Sequence, residues 1–271
     1  MDMKKMAENK QVISRDGTTI AFSKLGRGPA LVLVDGAFCY RENGPTPELA
    51  PLLAQNFTVF AYDRRGRGES GDKRPYALER EVEDLKAIID EAGGSAFVVG
   101  ISSGAGLVLQ AAASGLPIKK LALYEPPYIT RNGSPVRLDA AQSRLEQLVS
   151  SGDRGGAVKL FMTDVFGAPK AFVFFMPFVM PRAWRNNKSV ANTLTYDLTI
   201  LSDWSVLTER RSSIHVPTLV LGGEKSPPEL RGAVETVANA LPNARRQFLK
   251  GQSHMFSADV VAPVLLEFFE N

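Results

Sequence analysis

The sequence predicts an α/β fold: a mostly parallel central sheet flanked by helices, with a helical segment inserted after the sixth strand. Continuous apolar runs at 30–35, 57–62, 96–100, 119–124 and 216–222 supply the sheet. Unbroken apolarity is what strands buried on both faces require. Helical patterns separate these runs, and such alternation means parallel strands joined by helical crossovers. From about 126 to 213 the alternation stops and helix-compatible stretches take over.

In chain order, 11–15 and 19–24 flank Arg15-Asp16-Gly17-Thr18 and read as a hairpin around Asp-Gly. Strands follow at 30–35 (ALVLVD) and 57–62 (FTVFAY). A helix over 77–92 puts Leu78, Val82, Leu85 and Ile89 on one face and stops at Gly93-Gly94. After the strand at 96–100, residues 103–114 are apolar nearly all round, as a helix buried against a sheet should be. The strand at 119–124 closes the first part. Alternation resumes with 216–222, a helix near 227–241, a strand at 245–249 and a last helix near 261–269. The expected division is therefore a core of 1–128 and 214–271 around an insertion of 129–213.

The insertion contains AFVFFMPFVMP at 171–181, with four phenylalanines. This is shorter than the roughly 20 apolar residues a bilayer span needs. Two readings stand. The segment packs the insertion's own core, or Phe172, Phe175 and Phe178, with nearby Trp184, line an apolar pocket over the main domain.

Composition narrows the chemistry. With 44% hydrophobic and 23% charged residues the chain is neither disordered nor fibrous. Lysine and arginine number 32 against 29 acids, and no basic run exceeds a pair, which argues against a nucleic-acid partner. One cysteine, Cys39, excludes an internal disulfide, and two histidines make a transition-metal site improbable. No cofactor is expected. The opening MDMKKMAENK lacks the apolar core of a signal peptide, so the expectation is a cytoplasmic protein without a membrane partner.

Gly66-Arg67-Gly68-Glu69-Ser70-Gly71 matches the dinucleotide pattern G-x-G-x-x-G but fails its context. Asp72-Lys73-Arg74-Pro75 stands where a helix should open, and the next strand ends in Gly100 instead of a ribose-binding acid. These glycines read as a tight loop. Gly100-Ile101-Ser102-Ser103-Gly104 is a better signal, since it joins an apolar strand to an apolar helix. A nucleophile elbow demands that setting, with small flanking residues and the central serine raised at the helix amino end. A serine nucleophile needs a base. His215 precedes a strand and so lies at its amino end, whereas His254 follows the last strand and lies at the carboxyl end, where open α/β sheets build their sites. Ser102 and His254 are the predicted nucleophile and base.

Taken together these pieces resemble the α/β-hydrolases over nearly the whole chain. The matching segments are Val34-Asp35-Gly36-Ala37, Tyr62-Asp63-Arg64-Arg65-Gly66-Arg67-Gly68-Glu69-Ser70, the Ser102 elbow, Val216–Gly223 and Gly251–His254. The resemblance implies a cap formed by the insertion and an oxyanion hole made by the backbone N–H groups of Ala37 and Ser103. Asp35 replaces the histidine of the family's usual His-Gly pair, and its expected partners are amides of the loop. The serine separates this chain from haloalkane dehalogenases and epoxide hydrolases, which attack with aspartate. Asp35-Gly36, Ser102-Ser103 and Glu125 also resemble lactone hydrolases of the zearalenone-degrading type.

The usual position of the third triad member is here Ser226, and Ser226-Pro227-Pro228-Glu229 reads as a capping box. A hydroxyl cannot stabilise an imidazolium as a carboxylate does. Glu125, directly after the sixth strand, is the predicted acid, because a charge there is costly unless paired. Glu224 is the alternative. The implied activity is hydrolysis of a hydrophobic small-molecule ester or lactone. The alternatives are a cofactor-free peroxidase using the same residues and a non-catalytic ligand-binding protein.

Overall fold

The unbroken apolar runs form the middle of one twisted sheet. The computed structural model describes residues 7–271; the first six residues, part of the opening that lacks a signal-peptide core in sequence, lie outside the described residues. The strands are β1 (Glu8–Ile13), β2 (Thr19–Leu25), β3 (Ala30–Val34), β4 (Thr58–Tyr62), β5 (Ala96–Ile101), β6 (Ile118–Tyr124), β7 (Thr130–Arg131), β8 (Ser134–Pro135), β9 (Thr218–Gly223) and β10 (Ala244–Leu249). All but β7 and β8 join an eight-stranded sheet of order β1-β2-β4-β3-β5-β6-β9-β10. β2 runs antiparallel to β1 and β4, and the strands from β4 to β10 in that order are parallel. The two edges, β1 and β10, carry Glu8, Lys10, Arg245 and Arg246, mostly exposed, and such charges discourage edge-to-edge pairing.

The helices are α1 (Thr46–Leu53), α2 (Leu78–Glu91), α3 (Ser103–Ala113), α4 (Asp139–Ser150), α5 (Arg154–Leu160), α6 (Lys170–Val179), α7 (Pro181–Ser189), α8 (Leu194–Ser202), α9 (Ser205–Thr208), α10 (Pro228–Ala240) and α11 (Ala258–Glu270). Side chains alternate along a strand, so an all-apolar strand feeds two cores. Val32 and Val34 of β3 face a cluster with Leu85 and Ile88 of α2, Leu107 and Val108 of α3 and Val234 and Val237 of α10. Leu31 and Leu33 face the opposite cluster with Leu49 and Leu53 of α1 and Val261 and Leu265 of α11.

Apart from the short β7–β8 hairpin, which was not expected, the chain between β6 and β9 is helical. Leu145, Ala157, Val158, Phe161, Leu194 and Leu198 form a third cluster, joined by Ala37 and Phe38 from the loop after β3. This cluster therefore sits at the carboxyl ends of the strands. The end of the segment has another attachment: Ile200 of α8 and Val206 and Leu207 of α9 belong to the core shared with α2, α3 and α10.

Two further elements differ from the sequence reading. The first strand stops at Ile13, not residue 15, because Ser14 N–H donates to the Thr18 carbonyl at 2.8 Å and closes the turn around Gly17 (φ 81°). Helix α1 was not expected. It contains Pro47 and Pro51, and Pro47 stands in the first turn, where its missing N–H has no intrahelical role. The glycines at 66–71 do form a loop, and a Cβ on Gly68 would come within 2.2 Å of the Asp63 carboxylate. That carboxylate accepts N–H bonds from Arg41 and Glu69.

Leu121 is wholly buried on a central strand. Leu121→Ala should lower unfolding free energy in urea by about 2–5 kcal/mol without changing the fold. A loss below about 1 kcal/mol would show that the core collapses around the cavity.

Candidate active site

The elbow is built by close packing. Ser102 joins β5 to α3 at φ 55° and ψ −125°, a backbone conformation that costs a non-glycine residue energy. The turn brings α3 so near β3 that a Cβ on Gly104 would lie 2.3 Å from the Val34 carbonyl oxygen. On the opposite side, a Cβ on Gly36 would lie 2.8 Å from the Ser102 Cβ. Only glycine fits either contact. Ser102 N–H donates to the Tyr124 carbonyl at 2.8 Å, which locks the elbow to the end of β6. Its Oγ is buried and has no hydrogen-bond partner.

Glu125, one residue beyond β6, is fully buried and also left-handed, at φ 46°. Its Oε2 lies 2.8 Å from His254 Nδ1. A carboxylate can only accept, so Nδ1 carries the proton of this contact. Glu125 Oε1 accepts the Gly223 N–H at 2.8 Å and the Ser226 hydroxyl. Burial by itself would raise this carboxyl, but the hydrogen bonds from His254, Gly223 and Ser226 outweigh it and hold the group below its ordinary value. The histidine loop is fastened by Tyr124, whose hydroxyl donates to the Ser253 carbonyl at 2.6 Å.

Ser226 thus does something other than the capping box predicted. α10 starts beyond it, with Pro227 at the cap position and no side-chain cap bond. Its hydroxyl goes to the buried Glu125 carboxylate, a stronger acceptor. Glu224 is exposed. His215 is also exposed, at the amino side of β9, away from this edge.

Ser103 opens α3, so its N–H has no acceptor within the helix. Its hydroxyl donates to Asp197 Oδ1 of α8 at 2.7 Å. Asp197 is fully buried and also receives Arg64 at 2.8 Å and Arg67 at 2.7 Å. Burial would raise Asp197; the two guanidiniums and Ser103 hold it below its ordinary value instead. Arg67 then donates from Nη1 to the Gly36 carbonyl at 2.6 Å. In a trans peptide the C=O and the next N–H point opposite ways, so this bond turns the Ala37 N–H away from Arg67. Sequence reading missed this network. Arg64 and Arg67 lie in the quoted motif, but their partner is 130 residues from Arg67.

Asp35 differs from expectation. It accepts no loop amide among the described residues; Oδ2 takes the Thr46 hydroxyl of α1 at 2.7 Å, and buried Oδ1 has no partner. The unexpected helix α1 is the reason, because it brings Thr46 beside the carboxyl.

The aromatic cluster beside His254 is made by other rings than those of α6. Phe38, Phe161 and Phe166 pack edge to face or tilted, and Phe166 stands 6.0 Å from the His254 ring. Phe172, Phe175 and Phe178 are exposed, because α6 buries only Val173 and Met176. Trp184 is half-buried against the cluster that holds Ala37 and Phe38. Among the described residues no group of histidines, cysteines and acids could hold a metal ion, and no helix is long and apolar enough to cross a membrane.

Residues 31–264 match the alpha/beta hydrolase family, and the chain belongs to it. A solved alpha/beta hydrolase from Sphaerobacter thermophilus is 50% identical, with a TM-score of 0.88 over 96% of this chain and 100% of that one. A curated relative, the non-heme haloperoxidase of Rhodococcus erythropolis, is 25% identical over 96% of this chain and 99% of its own. The esterase of Exiguobacterium antarcticum shares the fold at a TM-score of 0.74 and 19% identity, over 97% of this chain and 100% of its own.

Burial raises Asp35 from an ordinary 3.8 to about 7, despite the Thr46 bond and nearby Arg67. Between those values the folded chain holds a proton that the unfolded chain has released. This group's contribution to stability is therefore greatest at acid pH and falls as pH rises from about 4 to about 7. Asp35→Asn keeps an acceptor for Thr46 without the charge. Urea midpoints should diverge in the variant's favour across that window, and parallel curves would mean that the carboxyl stays ionised in the fold.

Proposed function

We propose that this chain is a serine hydrolase that cleaves a carboxylic ester or lactone of a hydrophobic small molecule through an acyl-enzyme. The observation that carries the reading is the strained Ser102 elbow at the same sheet edge as buried Glu125 and its half-buried partner His254. In the reaction Ser102 Oγ attacks the carbonyl carbon and passes its proton to His254 Nε2. Ser102 Oγ carries no competing hydrogen bond, and such contacts tighten when substrate closes the site. Glu125 keeps Nδ1 protonated and stabilises the imidazolium. The Ala37 and Ser103 N–H groups hold the oxyanion. His254 then protonates the leaving alkoxide, and water releases the acyl group by the same steps in reverse order.

The helical insertion serves as the cap. Phe38, Phe161 and Phe166 favour an apolar acyl or alcohol part over a sugar or charged metabolite. Arg67 and Asp197 are positioning residues: one orients the peptide that carries the Ala37 N–H, the other holds the Ser103 side chain. A second reading has support in the haloperoxidase relative. Hydrogen peroxide in place of water would take the acyl group and leave as a peracid, with the same residues.

A fluorophosphonate probe should label wild type at Ser102, and short p-nitrophenyl esters should turn over. Ser102→Ala should abolish both with the fold intact. Ser103→Ala should be far milder, because its backbone N–H survives. Glu125→Gln should slow acyl transfer by up to the order of 10⁴, with Glu224→Gln nearly silent. The opposite ranking of the two glutamate variants would sink the assignment. No labelling and no turnover in wild type would favour a ligand-binding role. Peroxide-dependent halogenation exceeding hydrolysis would favour the second reading.

A further inference from the structure

Helix α6 leaves its apolar face in solvent. Phe172, Phe174, Phe175 and Phe178 are 45%, 59%, 56% and 77% exposed, and Val179 and Met180 beside them are 65% and 45% exposed. Singly exposed apolar residues are ordinary; six clustered on one helix and its end mark an interaction surface. Charge on this stretch has one sign. No acid occurs between Asp164 and Asp197, while Lys170, Arg182 and Arg185 stand exposed at the two ends of α6 and Lys188 is half-buried beyond them. Asp164 itself is paired with Arg144 at 3.2 Å.

We propose that α6 and its junction with α7 dock on an anionic lipid surface. Phenylalanine-rich faces flanked by lysine and arginine fit the interfacial layer, where rings enter the acyl boundary and cations meet phosphate. At 10 residues, roughly 15 Å, the helix is too short to span a bilayer and lies in the plane of the interface. A second copy of the chain is the competing occupant. Symmetric pairing would set Lys170, Arg182 and Arg185 against their own copies, and like charges facing each other oppose that contact. The docking helix follows closely on the site in the chain: Phe166, whose ring stands 6.0 Å from that of His254, lies four residues before α6.

The test needs no turnover and is independent of the hydrolase reading. The full chain is sedimented with vesicles of phosphatidylcholine alone and of phosphatidylcholine with phosphatidylglycerol. Strong co-sedimentation is expected only with the anionic vesicles, weakening as salt rises. The double variant Phe175→Glu/Phe178→Glu and the double variant Arg182→Gln/Arg185→Gln should each lose roughly tenfold or more in binding. All four residues are exposed, and unchanged urea midpoints would confirm that both variants fold. Absence of binding to either vesicle would overturn the proposal. So would a concentration-dependent wild-type dimer that Phe175→Glu/Phe178→Glu dissociates, since a second copy would then cover the face.

Discussion

The site depends on one buried carboxylate. Asp197 brings a negative charge from the inserted helices into a place where water cannot solvate it, and two guanidiniums and a hydroxyl compensate. Each partner belongs to a different part of the molecule. Arg64 and Arg67 come from the loop after β4, Ser103 from the elbow, and Arg67 passes the connection on to Gly36. A buried charge of this kind contributes little net stability, because desolvation offsets attraction, yet removing one partner is strongly destabilising. Its effect is geometric. It fixes three chain segments around the point where Ser102 stands.

Backbone strain is concentrated in the same region. Phe38, Ser102 and Glu125 are three of the four non-glycine residues with positive φ among the described residues. They follow β3, β5 and β6, which are adjacent in the sheet. Each conformation is costly in isolation, and each is held by packing that leaves no alternative. The crowding of Gly36 and Gly104 and the Ser102 N–H bond to Tyr124 supply that restraint.

Much of this was legible in the sequence because it depends on local pattern. Unbroken apolar runs located the sheet, and a Gly-x-Ser-x-Gly segment between strand and helix located Ser102. Glu125 stood out as a charge where a buried strand ends, and position relative to the strands separated His254 from His215. What escaped depends on partners distant in sequence. The spacing of Ser226 matched a capping box, whereas its hydroxyl is used by an acid 101 residues away. Helix α1 escaped as well, and with it the Thr46 partner of Asp35. The four phenylalanines of α6 were indistinguishable from core residues in a linear pattern. Only the placement of Val173 and Met176 inward decides that the rings face out.

The attachment of α8 and α9 to the core shared with α2 and α3 also limits which parts can move. Ile200, Val206 and Leu207 cannot swing outward without opening cavities beside the central sheet. The inserted segment is therefore not a door hung from two free hinges. Its carboxyl-terminal part is a fixed jamb, whereas α4, α5 and Trp184 of α7 pack on a separate, smaller cluster shared with Ala37 and Phe38.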